Sequence, residues 1–427
     1  MTTARGSART LKVGLVGAGM FGGDVHLRTY ADLARCGIAP YLGRIGMDTH
    51  ARDFGDIAFE LAAVATRSEA SAERAADTFQ QWTGARPAQY FGDTPWNDLL
   101  ATLPDLDILA VATPDHLHAA PTLAALRAGV HVVLEKPMTL DMAEADAIIE
   151  AADAAGLVVG LDMHKRYDPD HLCIFKRLMD EIGEPLYGRA VLEEPLEVST
   201  ETFKWAAESD PFSYVGVHWT DLFVHYMASK PRSVYAVGQK RKLIEEYGID
   251  AYDAVQVSVV FDNGAHVQFN NHWITPPDFE GPVNQESEIV ATRGKVESDS
   301  QYRGLRYTVE GDGTRTSNTH FTRQVAREDG TEALTGYGKD SLVACVLAVM
   351  RRKFAGESMD ALKATYPNAE EGRLSVAIVQ AAREVRDLNF RYFAEGVGTP
   401  VTAVLNDTGI RVYDPIGGSR AVYARPI

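Results

Sequence analysis

The sequence predicts an α/β protein, with an N-terminal domain on a parallel, doubly wound sheet and then an α+β domain with a large open, mostly antiparallel sheet. Three observations predict it. Short apolar runs alternate with helical patterns from residue 8 to about residue 165, as repeated strand–helix–strand units require. A cluster of glycines follows the first of these runs. After Arg166 the pattern changes to alternation of apolar and polar residues, the period of strands with one solvated face.

Taken in order, Leu11-Lys-Val-Gly-Leu-Val is the first strand, and it runs into Gly17, Gly19 and Gly22. Helical periodicity resumes over Val25–Leu33. Residues 36–57 are rich in Gly, Asp and Arg without a clean period and read as an insertion. Phe59–Ala65 is the next strand. Ser68–Gln81 carries Glu and Ala at helical spacing, with Ser68 as its cap. Leu106–Pro114 is a buried strand followed by a helix over Ala120–Ala128. Val130–Pro137 and Leu157–Met163 are further strands. In the second domain, 166–395, Ala251–Asn271 reads as a hairpin turning at Asp262-Asn263-Gly264-Ala265. Glu286–Thr292 and Gly304–Glu310 continue that sheet. Ser341–Phe354 and Ala369–Leu388 read as amphipathic helices. The extension 396–427 reads as a short hairpin around Asn406–Gly409, with a role in assembly.

Composition excludes several functions. The formal net charge is -17 over 427 residues, with no basic stripe, so the surface repels phosphate backbones and nucleic acid is not an expected partner. Cys36, Cys173 and Cys345 fit neither a zinc site nor a disulfide framework. No apolar run is long enough to span a bilayer. Met1–Thr10 is small and polar, lacks the apolar segment of a signal peptide and reads as a flexible tail, so a cytoplasmic location is expected by default.

Gly17-Ala-Gly19-Met20-Phe21-Gly22 follows a strand and opens a helix, the context in which G-x-G-x-x-G marks a dinucleotide site. The first glycine permits a tight turn, the second lets backbone N–H groups approach a pyrophosphate, and the third lets helix and sheet pack closely. The helix N-terminus adds partial positive charge. Residues 8–165 are therefore expected to form a Rossmann dinucleotide-binding domain. A carboxylate at the end of the second strand would hold the ribose hydroxyls of NAD. Thr66 and Arg67 stand there instead, which favours the 2′-phosphate of NADP. Arg67 stacked on the adenine leaves NAD as the alternative.

Three later motifs resemble those of the glucose–fructose oxidoreductase and inositol dehydrogenase (Gfo/Idh/MocA) family. Thr113-Pro114-Asp115-His116-Leu117-His118 is similar to its T-P-N-x-x-H turn, with Asp115 in place of Asn. Glu135-Lys136-Pro137 is its E-K-P. Gly216-Val-His218-Trp-Thr-Asp221-Leu resembles its G-x-H-x-x-D-L segment. The resemblance covers nearly the whole chain. It implies an NAD(P)-dependent oxidoreductase acting on a secondary hydroxyl of a sugar, cyclitol or glycoside, assembled as a homodimer or homotetramer. It places Thr113, Pro114, His118, Glu135 and Lys136 at the nicotinamide, with Lys136 and His218 at the reaction centre.

The residue chemistry is compatible with those roles. Hydride transfer from an alcohol needs a base for the hydroxyl proton and a donor to the developing alkoxide. Lys136 lies just past the end of a strand, where sites of open α/β sheets collect. His218 is a residue type that titrates near neutrality. A competing register pairs Asp221 with His225. It is disfavoured because the distance from His218 to Pro231 and the strand after it fits the family. Many relatives carry an aspartate four residues before the histidine. Tyr214 stands there in this chain, either as a catalytic group that hydrogen-bonds substrate or shares the proton transfer, or as an aromatic wall. Arg166, Lys204, Trp205 and Asp221 are expected to line a polyol pocket. A metal triad of His218, Asp221 and His225 is set aside, because the glycine loop and E-K-P have no part in it, and no metal is expected. A glycoside 3-oxidase with an internally recycled cofactor and a non-catalytic dinucleotide sensor are the alternative functions.

Overall fold

The computed structural model describes residues 9–280, 283–299, 305–309, 313–318, 320–328 and 330–427. The tail expected over Met1–Thr10 lies, as far as residue 8, outside them, as do Gly304 and Glu310 of the strand expected there. By compactness the chain forms two units. One comprises Met1–Met138, Asp146–Tyr167 and Phe321–Ala369; the other comprises Thr139–Ala145, Asp168–His320 and Glu370–Ile427.

The first unit is built on six parallel strands: β1 (Thr10–Val16), β2 (Ala58–Thr66), β3 (Ala88–Phe91), β4 (Ile108–Val111), β5 (His131–Leu134) and β6 (Val159–Leu161). Their order is β3-β2-β1-β4-β5-β6, that of the doubly wound dinucleotide fold. Every residue of β4 and β6 is buried, as strands covered on both faces require. Ser68 caps the helix Glu69–Thr83, its hydroxyl accepting from Ser71 N–H. β3 and the helix Pro95–Thr102 fall in a stretch that shows no clear apolar period in the sequence.

Two segments depart from their sequence patterns. Residues 36–57 fold as short helical turns, Ala39–Leu42, Gly43–Ile45, Asp48–His50 and Ala51–Phe54. They send Ile38, Tyr41, Leu42, Phe54 and Ile57 into the same core as Leu11, Val13 and Leu15. The helix Tyr337–Met350 is not amphipathic, because all fourteen of its residues are buried. It crosses beside β5 and β6 so closely that a Cβ on Gly160 would lie 2.6 Å from Cys345 Sγ. A bidentate pair from Arg44 to Asp340, Nε to Oδ1 and Nη2 to Oδ2, both at 2.9 Å, ties the inserted turns to the start of this helix. The buried Lys339 ammonium lies 2.6 Å from Asp32 and over the Tyr41 ring. These polar ties explain why a helix with charged residues in its first turn can be buried all round.

The second unit carries β7 (Pro185–Pro195), β8 (Pro231–Gln239), β9 (Ala254–Phe261), β10 (His266–Thr275), β11 (Asn284–Ala291) and β12 (Gly294–Asp299). β13 (Leu305–Val309) and β14 (Gly313–Ser317) form a separate two-stranded sheet, so β13 does not extend the main one. β15 (Arg323–Ala326) and β16 (Glu332–Thr335) pair within the first unit. The extension supplies β17 (Thr402–Asn406), β18 (Gly409–Asp414) and β19 (Gly418–Tyr423). The nine-stranded order is β12-β11-β7-β10-β9-β8-β17-β18-β19. Among the described residues of this sheet, only β7 and β10 pair in parallel. β9 and β10 form the expected hairpin, with Gly264 at φ +85° in its turn. The extension is thus a three-stranded edge of this sheet, joined to β8.

Candidate active site

β1 and β4 are neighbours at the point where the strand order reverses, and ligands of such sheets bind beyond the carboxyl ends there. The glycine loop leaves the end of β1. Gly17 has φ +92°, and a Cβ on it would lie 2.3 Å from Ala112 O. Its N–H donates to Ala65 O at 2.8 Å, fastening the turn to β2. A Cβ on Gly22 would lie 2.4 Å from Gly17 O, whereas one on Gly19 would meet nothing within 4 Å. The first and third glycines are therefore demanded by the protein's own packing, and the second leaves open space, as a dinucleotide pyrophosphate needs. Met20 is exposed beside it. The Phe21 ring turns inward, stacking on His164 at 5.5 Å and meeting Phe321 at 6.1 Å.

At the end of β2 the Thr66 hydroxyl donates to Ser68 O at 2.8 Å, so it shapes the turn and leaves the exposed Arg67 as the free-standing group. After β4, the Thr113 hydroxyl is buried without a hydrogen-bond partner, a donor that a ribose or nicotinamide oxygen would satisfy. Pro114 leads into a short turn, Asp115–Leu117. His118 is expected above at the cofactor, but both its ring nitrogens face carbonyls, Pro137 O at 2.7 Å and Thr113 O at 2.9 Å. It ties the Thr113 turn to the Lys136–Pro137 turn. Burial pulls its pKa down while those carbonyls oppose the shift.

Lys136 lies just past the end of β5, after Glu135, and is 5% exposed, and its bond to Pro137 is cis. Glu135, expected above to meet the cofactor, is bonded inward, with Oε1 2.7 Å from His26 Nε2. Arg166 belongs to the same unit, in the turn His164–Tyr167.

In the second unit, His218 lies in the first turn of the helix Val217–Met227 and is 6% exposed; Asp221, a turn later, is 2% exposed. Gly216 lets this helix press on β10, because a Cβ there would lie 2.6 Å from Asn271 Oδ1. His225 stands in the last turn, half-buried, with its ring edge-on to Phe175 at 5.8 Å. Tyr214 meets Phe203 at 4.6 Å and Trp205 at 5.6 Å, and those two rings stack at 4.5 Å. The structure thus brings Tyr214 and Trp205 into one aromatic wall. Lys204 beside them is exposed.

Asp210 escaped the sequence reading. It is fully buried and accepts from Phe212 N–H and Ser213 N–H, both at 2.9 Å, and from the Ser213 hydroxyl. It thereby caps the π-helical turn Phe212–Gly216, which carries Tyr214 into His218. Arg386 approaches its Oδ2 at 2.5 Å and Arg383 at 3.3 Å. Burial works against the charge, but Arg386, Arg383 and Ser213 hold the carboxyl below its usual range. Its contribution to stability is present above the ordinary carboxylate pKa and is lost as pH falls through the lower folded value. Asp210→Ala leaves Arg386 buried without this partner and is expected to cost about 3–5 kcal/mol in urea unfolding at pH 7. A loss under about 1 kcal/mol would show that the pair does not hold the turn.

Among the described residues no helix is long and apolar enough to cross a membrane. Residues 11–163 match the model of the oxidoreductase family with an NAD-binding Rossmann fold, Gfo/Idh/MocA, and residues 176–297 match its C-terminal domain. The chain belongs to the Gfo/Idh/MocA family. A 1,5-anhydro-D-fructose reductase of Ensifer adhaerens is 30% identical over 176 residues, which are 40% of this chain and 52% of the reductase. The chain therefore spans about half the length of this curated relative. In fold, it is similar to a myo-inositol 2-dehydrogenase from Lactobacillus plantarum, with TM-score 0.65 and 16% identity over 89% of this chain and 98% of that one. It is also similar to a scyllo-inositol dehydrogenase from Lactobacillus casei, with TM-score 0.63 and 16% identity over 89% of this chain and 98% of that one. As a Gfo/Idh/MocA protein, the chain carries the E-K-P lysine at Lys136, on the same sheet edge as its glycine loop.

Proposed function

We propose that this chain is an NAD(P)-dependent oxidoreductase that transfers a hydride between the nicotinamide and a secondary hydroxyl or ketone of a sugar, cyclitol or glycoside. The observation that carries this reading is the glycine loop open at Gly19, with Lys136 on the same sheet edge at the end of β5. The residues fit the cofactor: Gly17, Gly19 and Gly22 admit the pyrophosphate, Thr113 offers an unpartnered hydroxyl, and Arg67 stands free at the end of β2. When bound, the nicotinamide supplies the hydride acceptor or donor.

The chain's own residues manage the oxygen and its proton. The Lys136 ammonium donates to the substrate oxygen as negative charge develops on it. The His218 imidazole takes the hydroxyl proton in oxidation and returns it in reduction. Trp205 and Tyr214 offer apolar faces to a sugar ring, and Lys204, Arg166 and Asp221 offer polar groups to its hydroxyls. The names of the reductase and inositol dehydrogenases above support the polyol class. The reading is tested by anaerobic purification, with absorbance and mass analysis of any bound nucleotide, then by reduction of NAD⁺ and NADP⁺ with a panel of inositols, aldoses and glycosides. No nucleotide bound and no polyol turned over would reject it. A reduced nucleotide that stays bound and is recycled by a second sugar would identify the internally recycling form.

Arg67 also bears on the choice of NADP over NAD. A charge-assisted hydrogen bond is worth about 1.5–3 kcal/mol, so Arg67→Ala is expected to weaken NADP⁺ binding ~10-fold or more and NAD⁺ far less. Fluorescence titration of both nucleotides checks this; equal losses would mean that Arg67 does not read the 2′-phosphate.

A further inference from the structure

Around Glu135, the residue before Lys136, the first unit holds a chain of buried titratable groups. His26 comes from the helix after the glycine loop, Glu135 from the end of β5, and Asp162 and His164 from the segment after β6. His26 Nδ1 lies 3.1 Å from the Tyr30 hydroxyl and its Nε2 2.7 Å from Glu135 Oε1. A nitrogen of His26 and one carboxylate oxygen from each of Glu135 and Asp162 lie within 4.8 Å of one another. His26 and Asp162 are fully buried, and Glu135 is 5% exposed. Two carboxyl groups so close and so dry do not both ionise.

The donors decide where the proton sits. Burial pushes the Tyr30 phenol well above its usual pKa, so it keeps its single hydrogen and donates it to His26 Nδ1. Burial pulls His26 down to about 4, so at pH 7 its neutral ring has one N–H left, on Nε2, aimed at Glu135 Oε1. Burial, and then the charge of Asp162, push Glu135 well above the usual carboxylate range. Burial opposes the charge on Asp162 too, but the His164 ring facing it outweighs burial and holds that carboxyl low. His164 Nδ1 is 3.9 Å from Asp162 Oδ2. The other charged neighbours are Lys136, which acts on Glu135 and His164, and Lys165, which acts on His164. Cys345 is also packed nearby, and burial raises its thiol so that it stays neutral.

We propose that Glu135 and Asp162 share one proton, carried on Glu135, and that this acid–carboxylate pair is a positioning element joining the helix of the glycine loop to the Lys136 turn. The positioning half rests on the role given to Lys136 above; the proton does not. A folded-state pKa raised in this way gives stability that is fully present below the unfolded value and is lost as pH rises through the folded one.

Infrared difference spectra of the full-length protein, wild type minus Glu135→Gln at pH 7, are expected to show the C=O stretch of a buried carboxylic acid that shifts in D₂O. Should that variant not fold, Asp162→Asn gives the same reading, because losing the charged acceptor moves the band of the remaining acid. Urea stability of the wild type is expected to fall from neutral to alkaline pH, and this fall is lost in Glu135→Gln. Titrated by fluorescence, the nucleotide affinity of the wild type is expected to decline over the same range, and this decline is also lost in the variant. Absence of the acid band, or one equivalent of a divalent metal ion in the purified protein, overturns the shared proton. The band present with a pH-independent nucleotide affinity overturns the positioning role alone. A protein with the band that binds no nucleotide refutes the oxidoreductase reading and leaves the proton in place.

Discussion

Lys136→Ala is expected to lower turnover ~100- to 1,000-fold, equivalent to about 3–4 kcal/mol of lost transition-state stabilisation. The lysine sits at the carboxyl end of β5 and is 5% exposed, so its ammonium is poorly hydrated and a hydrogen bond from it to a developing alkoxide is correspondingly strong. The loss belongs in kcat, because the charge it meets exists only as the reaction proceeds. Since removing a buried side chain can also loosen the fold, a thermal melt accompanies the kinetics, and Lys136→Met supplies a variant closer in volume. Near wild-type turnover in either folded variant would remove Lys136 from the reaction centre.

The other large effect concerns two histidines on one helix. A general base contributes ~100- to 10,000-fold in rate, and His218→Asn is expected to cost turnover in that range and to remove one ionisation from the pH–rate profile. His225→Asn is expected to leave the profile's shape intact. His218 opens the helix Val217–Met227, just after the close contact of Gly216 with β10. His225 closes it, beside the exposed ring of Phe175. Profiles of both variants on an accepted polyol decide between them. If His225→Asn removes the ionisation and His218→Asn does not, the register is wrong and Asp221 becomes the partner carboxylate.

Much of this was legible locally. The glycine loop, its strand and its helix are consecutive, so the turn chemistry is written within a few residues, and the packing around Gly17 and Gly22 is what G-x-G-x-x-G demands. Strand periodicity named most of the parallel sheet, and Asp262-Asn263-Gly264 named a hairpin, because both signals depend on neighbours in sequence. The family motifs sit at strand and helix ends for the same reason. Periodicity misled where burial is complete. The helix expected over Ser341–Phe354 begins earlier, at Tyr337, and is buried all round as far as Met350, because Lys339 and Asp340 in its first turn are neutralised by Asp32 and Arg44, which are remote in sequence.

The sequence by itself determined the dinucleotide loop, the alternation that makes the sheet parallel, and which residue types are available for proton and hydride chemistry. Only the tertiary structure decided what those groups face. It turned Glu135 inward to His26, spent both nitrogens of His118 on carbonyls, placed Asp210 under the turn that carries Tyr214, and made the extension an edge of the large sheet. Each of these pairings joins residues that are remote in sequence or turned by packing, and which partner a buried polar group finds depends on where the whole chain folds back.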